Sequence, residues 1–104
     1  MSQILITDPT LRDGSHAVKH QLTRNQIVAY AEAAENACIP ILEVGHGNGI
    51  GASSMQVGES LLEDIEIIEA ARGKLKNTKL CVFDIPSFAT INKNLSPCIN
   101  AGVD

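Results

Sequence analysis

Three short apolar runs, Ile4-Leu5-Ile6, Ile41-Leu42-Glu43-Val44 and Lys79-Leu80-Cys81-Val82-Phe83, begin about 38 residues apart and alternate with stretches of helical periodicity. This β-α-β-α-β-α order constrains the fold more than any other feature, because a strand that returns through a helix lies parallel to its predecessor, with a right-handed crossover. Ile4 to Ile6 reads as a buried strand running into a loop at Asp8-Pro9. Thr23-Arg24-Asn25-Gln26 has the form of a capping box, and Ile27, Tyr30, Ala31 and Ala34 then recur at helical spacing to about Asn36. Pro40 blocks any continuation.

After the second run comes a glycine-rich loop from Gly45 to Gly58. Leu61, Leu62, Ile65, Ile68 and Ala71 form the next apolar stripe, with Glu63, Asp64, Glu66 and Glu69 largely facing solvent and Gly73 as its stop. The spacing predicts only a short last helix, starting near Ser96-Pro97 with the proline in its first turn and capped by Gly102. The polar, glycine-rich loops all follow the C-terminal ends of strands, the functional edge of parallel sheets and barrels alike. A (β/α)8 barrel takes about 250 residues. The predicted class is therefore α/β: residues 1–104 form a partial domain, the N-terminal (βα)3 portion of a TIM (β/α)8 barrel, or else a small open sheet. Open sheet edges are normally paired or covered, which favours the barrel segment and leaves self-association through those edges as the alternative.

At 44% apolar and 19% charged, the composition is that of a globular chain. Phe83, Phe88 and Tyr30 are its aromatic residues, so the core must rest on Ile, Leu, Val and Ala. A net charge of −4 leaves no basic footprint for nucleic acid or an anionic membrane surface. Cys38, Cys81 and Cys98 form neither a CxxC nor a zinc pattern and read as idle reduced thiols of a cytoplasmic protein. No apolar run approaches the ~20 residues of a membrane span, and no secretory signal is expected.

The chemistry concentrates after the first strand. Asp13 offers oxygen to a divalent cation. Arg12 brings a permanent, planar cation suited to a carboxylate or a developing enolate. His16 moves protons near neutral pH. Together they fit metal-assisted carbon–carbon chemistry on an oxo acid; the competing reading is a solvated loop, with Asp13 capping a turn and Arg12 paired to Asp8. His16 and His20 stand four apart, a spacing that can place two metal ligands on one helical face, but the glutamate of an HExxH motif is missing, and the favoured reading is an exposed His20. Gly47-Asn48-Gly49-Ile50-Gly51-Ala52 satisfies the G-x-G-x-x-A of a dinucleotide-binding turn, but the next helical stripe starts too late to place a helix N-terminus under a pyrophosphate. The loop instead brings backbone close to a ligand, with His46 lining the site, or is purely structural. Glu43 either points into the site or pairs with a cation. Asp84 to Phe88 forms a pocket wall with Phe88 as apolar contact, or an ordinary turn.

"TLRDGSHAVKHQ" (Thr10 to Gln21) together with "LEVGHGNGIGASS" (Leu42 to Ser54) resembles the N-terminal part of the 4-hydroxy-2-oxovalerate aldolases, divalent-metal pyruvate aldolases of the barrel metallolyase superfamily. Related acyl-transferring synthases resemble the pattern up to Arg-Asp-Gly and then typically carry Gln where this chain has His16. The resemblance implies a (β/α)8 barrel holding Mn2+ or a similar ion, and retro-aldol cleavage of 4-hydroxy-2-oxopentanoate to pyruvate and acetaldehyde. It further implies Asp13 as metal ligand and substrate contact, Arg12 as enolate stabiliser and substrate contact, and His16 as proton handler on the C4 hydroxyl. Two further ligands, a histidine pair on a later strand, are implied beyond residue 104, as is an acetaldehyde dehydrogenase partner. "FDIPSFAT" (Phe83 to Thr90) departs from the family's more usual leucine-rich segment on the aldehyde side of the pocket, which leaves the aldehyde open. The alternative to an enzyme segment is a non-catalytic fragment acting as a self-associating or partner-binding βα module.

Overall fold

A computed structural model describes residues 4–104. Strands β1 (Thr7–Leu11), β2 (Ile41–Val44) and β3 (Lys79–Cys81) form one parallel sheet in the order β1-β2-β3. Helix α1 (Arg24–Asn36) links the first pair and α2 (Asp64–Arg72) the second; a π-turn over Ile91–Leu95 runs into α3 (Ser96–Ala101). The alternation thus yields the parallel α/β sheet it predicts.

α1 starts where the capping box places it: the Thr23 hydroxyl accepts the Gln26 N–H, and the Gln26 amide oxygen accepts the Thr23 N–H. α3 carries Pro97 in its first turn and ends at Gly102, as expected. β2 alternates sides: Leu42 and Val44 are buried with Leu80 among Ile27, Ala31, Ala34, Ile67, Ile68 and Ala71 of the helices. Glu43 and its register partner Cys81 therefore lie on the opposite sheet face, where the Cys81 thiol approaches the Glu43 carboxylate at 3.9 Å.

Five expectations shift. The strand expected at Ile4 to Ile6 begins instead at Thr7, and Ile4, Leu5 and Ile6 are 84, 71 and 57% exposed. They flank an edge strand, and among the described residues no element covers them. Asp8-Pro9 does not end β1 either: Asp8 pairs with Leu42 and Leu11 with Val44, so β1 holds one extra residue there. Such a bulge suits Pro9, which has no N–H for the ladder.

The second helix starts at Asp64, not beneath Leu61. The Ser60 and Leu61 N–H groups are bonded to Ser53 Oγ and the His20 carbonyl, which ties this backbone to the loops. Glu63 then caps α2 reciprocally with Glu66. Asp64 does not face solvent, because its carboxylate accepts the Gly51 N–H at 2.8 Å. Finally, β3 stops at Cys81, two residues early, because the Phe83 carbonyl turns to accept Ile50 N–H of the glycine loop.

All three cysteines are free. Burial, then the nearby Glu43 charge, pushes the Cys81 thiol up to about 11, and burial does the same to Cys98. Both stay protonated near neutral pH, as idle thiols would. No helix among the described residues is long and apolar enough to cross a membrane.

Candidate active site at the strand ends

The loop after β1 folds into a 3-10 helix over Asp13–Val18. Arg12, just before it, is fixed from three sides. Its Nε donates to the Glu43 carboxylate, one Nη donates to the Gly47 carbonyl at 3.0 Å, and its guanidinium lies 4.6 Å from the centroid of the Phe83 ring. A guanidinium so held has little freedom left and presents its charge in a defined place. This answers two questions left open by the residues alone: Glu43 pairs with a cation, and that cation is Arg12. Asp8 is instead occupied by Thr10 and by the Tyr30 hydroxyl at 2.6 Å.

Asp13 and His16 stand at the open side of this group. Asp13 Oδ1 lies 3.7 Å from an Arg12 Nη and 4.0 Å from His16 Nε2, with side-chain exposures of 65% for Asp13 and 46% for His16. The structure therefore brings together Arg12, Asp13 and His16, a cation, an oxygen donor and a proton carrier, at one solvent-accessible point. Among the described residues, no group of three His, Cys, Asp or Glu side chains is arranged to hold a metal ion.

The other histidines occupy unexpected positions. His20 is buried, not exposed, because Lys19 and His20 both take left-handed backbone (φ 54° and 62°) and turn its ring inward. It stacks on His46 with centroids 3.7 Å apart and planes 14° apart, and meets His16 edge-on at 4.9 Å. Burial pushes the His20 imidazole below its ordinary range, and the His46 and His16 rings add to this. His46 is wholly buried; its Nε2 lies 2.8 Å from the Gly58 carbonyl and its Nδ1 accepts the Asn48 N–H. It reaches the site through the His20 ring instead of lining it directly. Phe88 lies in the turn after β3, half-exposed, with its carbonyl beside Gly51. The aromatic ring against Arg12 is that of Phe83, the last residue of the third apolar run, which lies past the end of β3.

The glycine loop spends its N–H groups internally. Gly49 bonds to His46, Ala52 to Gly49, Ile50 to Phe83 and Gly51 to Asp64, while Ile50 and Ala52 are buried. With those donors consumed and α2 starting only at Asp64, the loop offers no phosphate cradle. A separate cleft of about 420 Å3 is lined by Gly51, Ser53, Asp64, Lys93, Asn94 and Cys98. Burial raises the Asp64 carboxyl above its ordinary range, and its Oδ1 has no hydrogen-bond partner.

A 4-hydroxy-2-oxovalerate aldolase from Pectobacterium atrosepticum is 54% identical over 102 residues, which is 98% of this chain and 30% of that protein. The chain is a relative of the N-terminal portion of the 4-hydroxy-2-oxovalerate aldolases. Aldolase 2 of Salinispora arenicola is 53% identical over 98% of the chain, and the Spirochaeta aurantia aldolase 52% over 97%. The chain spans about 30% of the length of these aldolases. No protein-family model matches it.

Proposed function

We propose that the chain forms the first part of a metal-dependent 4-hydroxy-2-oxoacid aldolase that cleaves 4-hydroxy-2-oxopentanoate to pyruvate and acetaldehyde. The observation that carries this reading is the clamped Arg12 guanidinium at an exposed point of the strand ends, with the Asp13 carboxylate 3.7 Å from Arg12 and 4.0 Å from His16. The similarity to aldolases over nearly the whole chain supports it.

Each residue then has a role in an atom-balanced cleavage. His16 takes the proton of the C4 hydroxyl. As the C4–O bond becomes a carbonyl, the C3–C4 bond breaks and its electron pair moves to C3 and the C2 oxygen. Acetaldehyde leaves, and the remaining pyruvate enolate carries charge that Arg12 compensates. Because Glu43, the Gly47 carbonyl and Phe83 already hold Arg12, little reorganisation is needed when that charge appears. Protonation of C3 completes pyruvate.

The single carboxylate of Asp13 fits a hard divalent cation, Mn2+ in this proposal, as one ligand of a set whose other members are not among the described residues. When bound, such an ion supplies Lewis-acid polarisation of the 2-oxo acid. The aldehyde product is assigned to an acetaldehyde dehydrogenase partner, and the complete fold to a (β/α)8 barrel in which the described sheet supplies the first three strands. The test is Mn2+-dependent pyruvate release by a chain of full aldolase length; a folded, metal-binding protein that cleaves no hydroxy-oxo acid would end this reading.

A second reading is favoured by Ile4, Leu5 and Ile6, exposed beside β1. On that reading the chain is a non-catalytic βα module that self-associates or binds a partner through its sheet edge. Size measurement of the 104-residue chain separates the outcomes: a stable monomer that binds no hydrophobic dye counts against edge-driven assembly.

A further inference from the structure

The aldolase reading uses His16 but leaves His20 and His46 without a task, although their buried rings stack with centroids 3.7 Å apart. We infer that His20, seated on His46, is a positioning residue that fixes His16 and Arg12 through the backbone of Gly47; this rests on the aldolase reading of the site.

The geometry converges on Gly47. Its carbonyl receives the Arg12 guanidinium at 3.0 Å. Its N–H points to His20 Nδ1 at 3.4 Å, and the same nitrogen lies 3.1 Å from Ser15 Oγ. Its Cα faces the His16 ring so closely that an added Cβ would lie 2.3 Å from His16 Nε2. One residue therefore touches the proposed enolate stabiliser through its carbonyl, the buried His20 through its N–H and the proposed proton handler at its Cα. A shift of Gly47 moves both functional side chains together.

His20 is built to hold it still. Two consecutive left-handed residues, Lys19 and His20, carry backbone strain that persists only where surroundings over-determine it. The ring is held from below by His46, itself bound at both nitrogens by backbone groups. It is held from the side by Gly58, where a Cβ would come within 2.8 Å of the His20 ring. Above it, His16 rests edge-on. The column runs from the wholly buried His46 through buried His20 to half-exposed His16, so the packed interior sets the orientation of the surface ring.

The test uses His20→Ala, which removes ring and nitrogen, and His20→Phe, which keeps a flat ring on His46 but loses Nδ1 and so preserves the fold if the alanine variant does not. Two readouts are taken on the full-length protein: the nuclear Overhauser contact between the His16 ring and Gly47 Hα, and kcat and KM for pyruvate release. The expected result is a weakened His16–Gly47 contact with kcat lowered about 10- to 100-fold and KM changed by less than about threefold. A folded variant that keeps the contact and its kcat overturns the inference. So does a fall in kcat with the contact intact. If the unmutated protein releases no pyruvate, the aldolase reading fails instead, and the nuclear Overhauser contact alone decides whether His20 seats His16.

Discussion

At the scale of single residues, the candidate site is organised around Arg12, which Glu43, the Gly47 carbonyl and the Phe83 ring hold in place. Its partner Glu43 is half-buried, and removing one member of such a pair leaves a desolvated charge behind. Glu43→Ala is expected to cost on the order of 2 kcal/mol, while Glu43→Gln, which keeps an acceptor for the guanidinium, costs less; urea denaturation measures both. Equal losses would show that the pairing contributes nothing beyond packing. Gly47 makes a sharper case. Since a Cβ there would meet His16 Nε2 at 2.3 Å, Gly47→Ala must displace the His16 ring. Unchanged His16 ring resonances in Gly47→Ala would contradict the described packing.

At the scale of elements, the chain joins its layers through caps and loop-spanning carboxylates. The Thr23 cap is expected to be worth about 1 kcal/mol, read as the loss of stability in Thr23→Ala. Glu35, near the end of α1, accepts the N–H groups of Lys76, Asn77 and Thr78 ahead of β3. Those bonds, Thr78 first, hold its carboxyl below the usual 4.5. A depressed folded value means the contribution is present above the unfolded value and lost as pH falls through the folded one. Glu35→Gln should therefore lower stability near neutral pH and flatten its decline below 4.5; an unaltered acid limb would contradict this.

These elements also show what was legible in the sequence. Thr23 and Gln26 locate the start of α1 because a cap is a local interaction, and Ile41 to Val44 locates β2 because its buried residues alternate in the run itself. Ile4 to Ile6 misplaced β1 because an apolar run states a preference for burial, not what will cover it. Leu61 and Leu62 misplaced the start of α2 because their stripe continues the helical phase while the backbone is committed to Ser53 and His20. In the site, Arg12, Asp13 and His16 were legible because they share one loop. The Glu43 and Phe83 contacts with Arg12, and the stacking of His20 on His46, join residues far apart in sequence, and only the parallel strand order brings them together.

At the scale of the whole molecule, the chain carries a three-stranded parallel sheet with a charged, histidine-rich cluster at its strand ends and spans about 30% of the length of the aldolases it resembles. In the proposed function this cluster contributes Arg12 as a clamped cation, His16 as proton carrier and Asp13 as one oxygen ligand. The most direct measurement is the rate of pyruvate release from 4-hydroxy-2-oxopentanoate by a chain of full aldolase length, with and without Mn2+, for the unmutated protein and for Arg12→Ala and His16→Ala. The account predicts Mn2+-dependent release that falls by about 100-fold or more in each variant while the fold is retained. Release at the unmutated rate in a folded Arg12→Ala protein would contradict it.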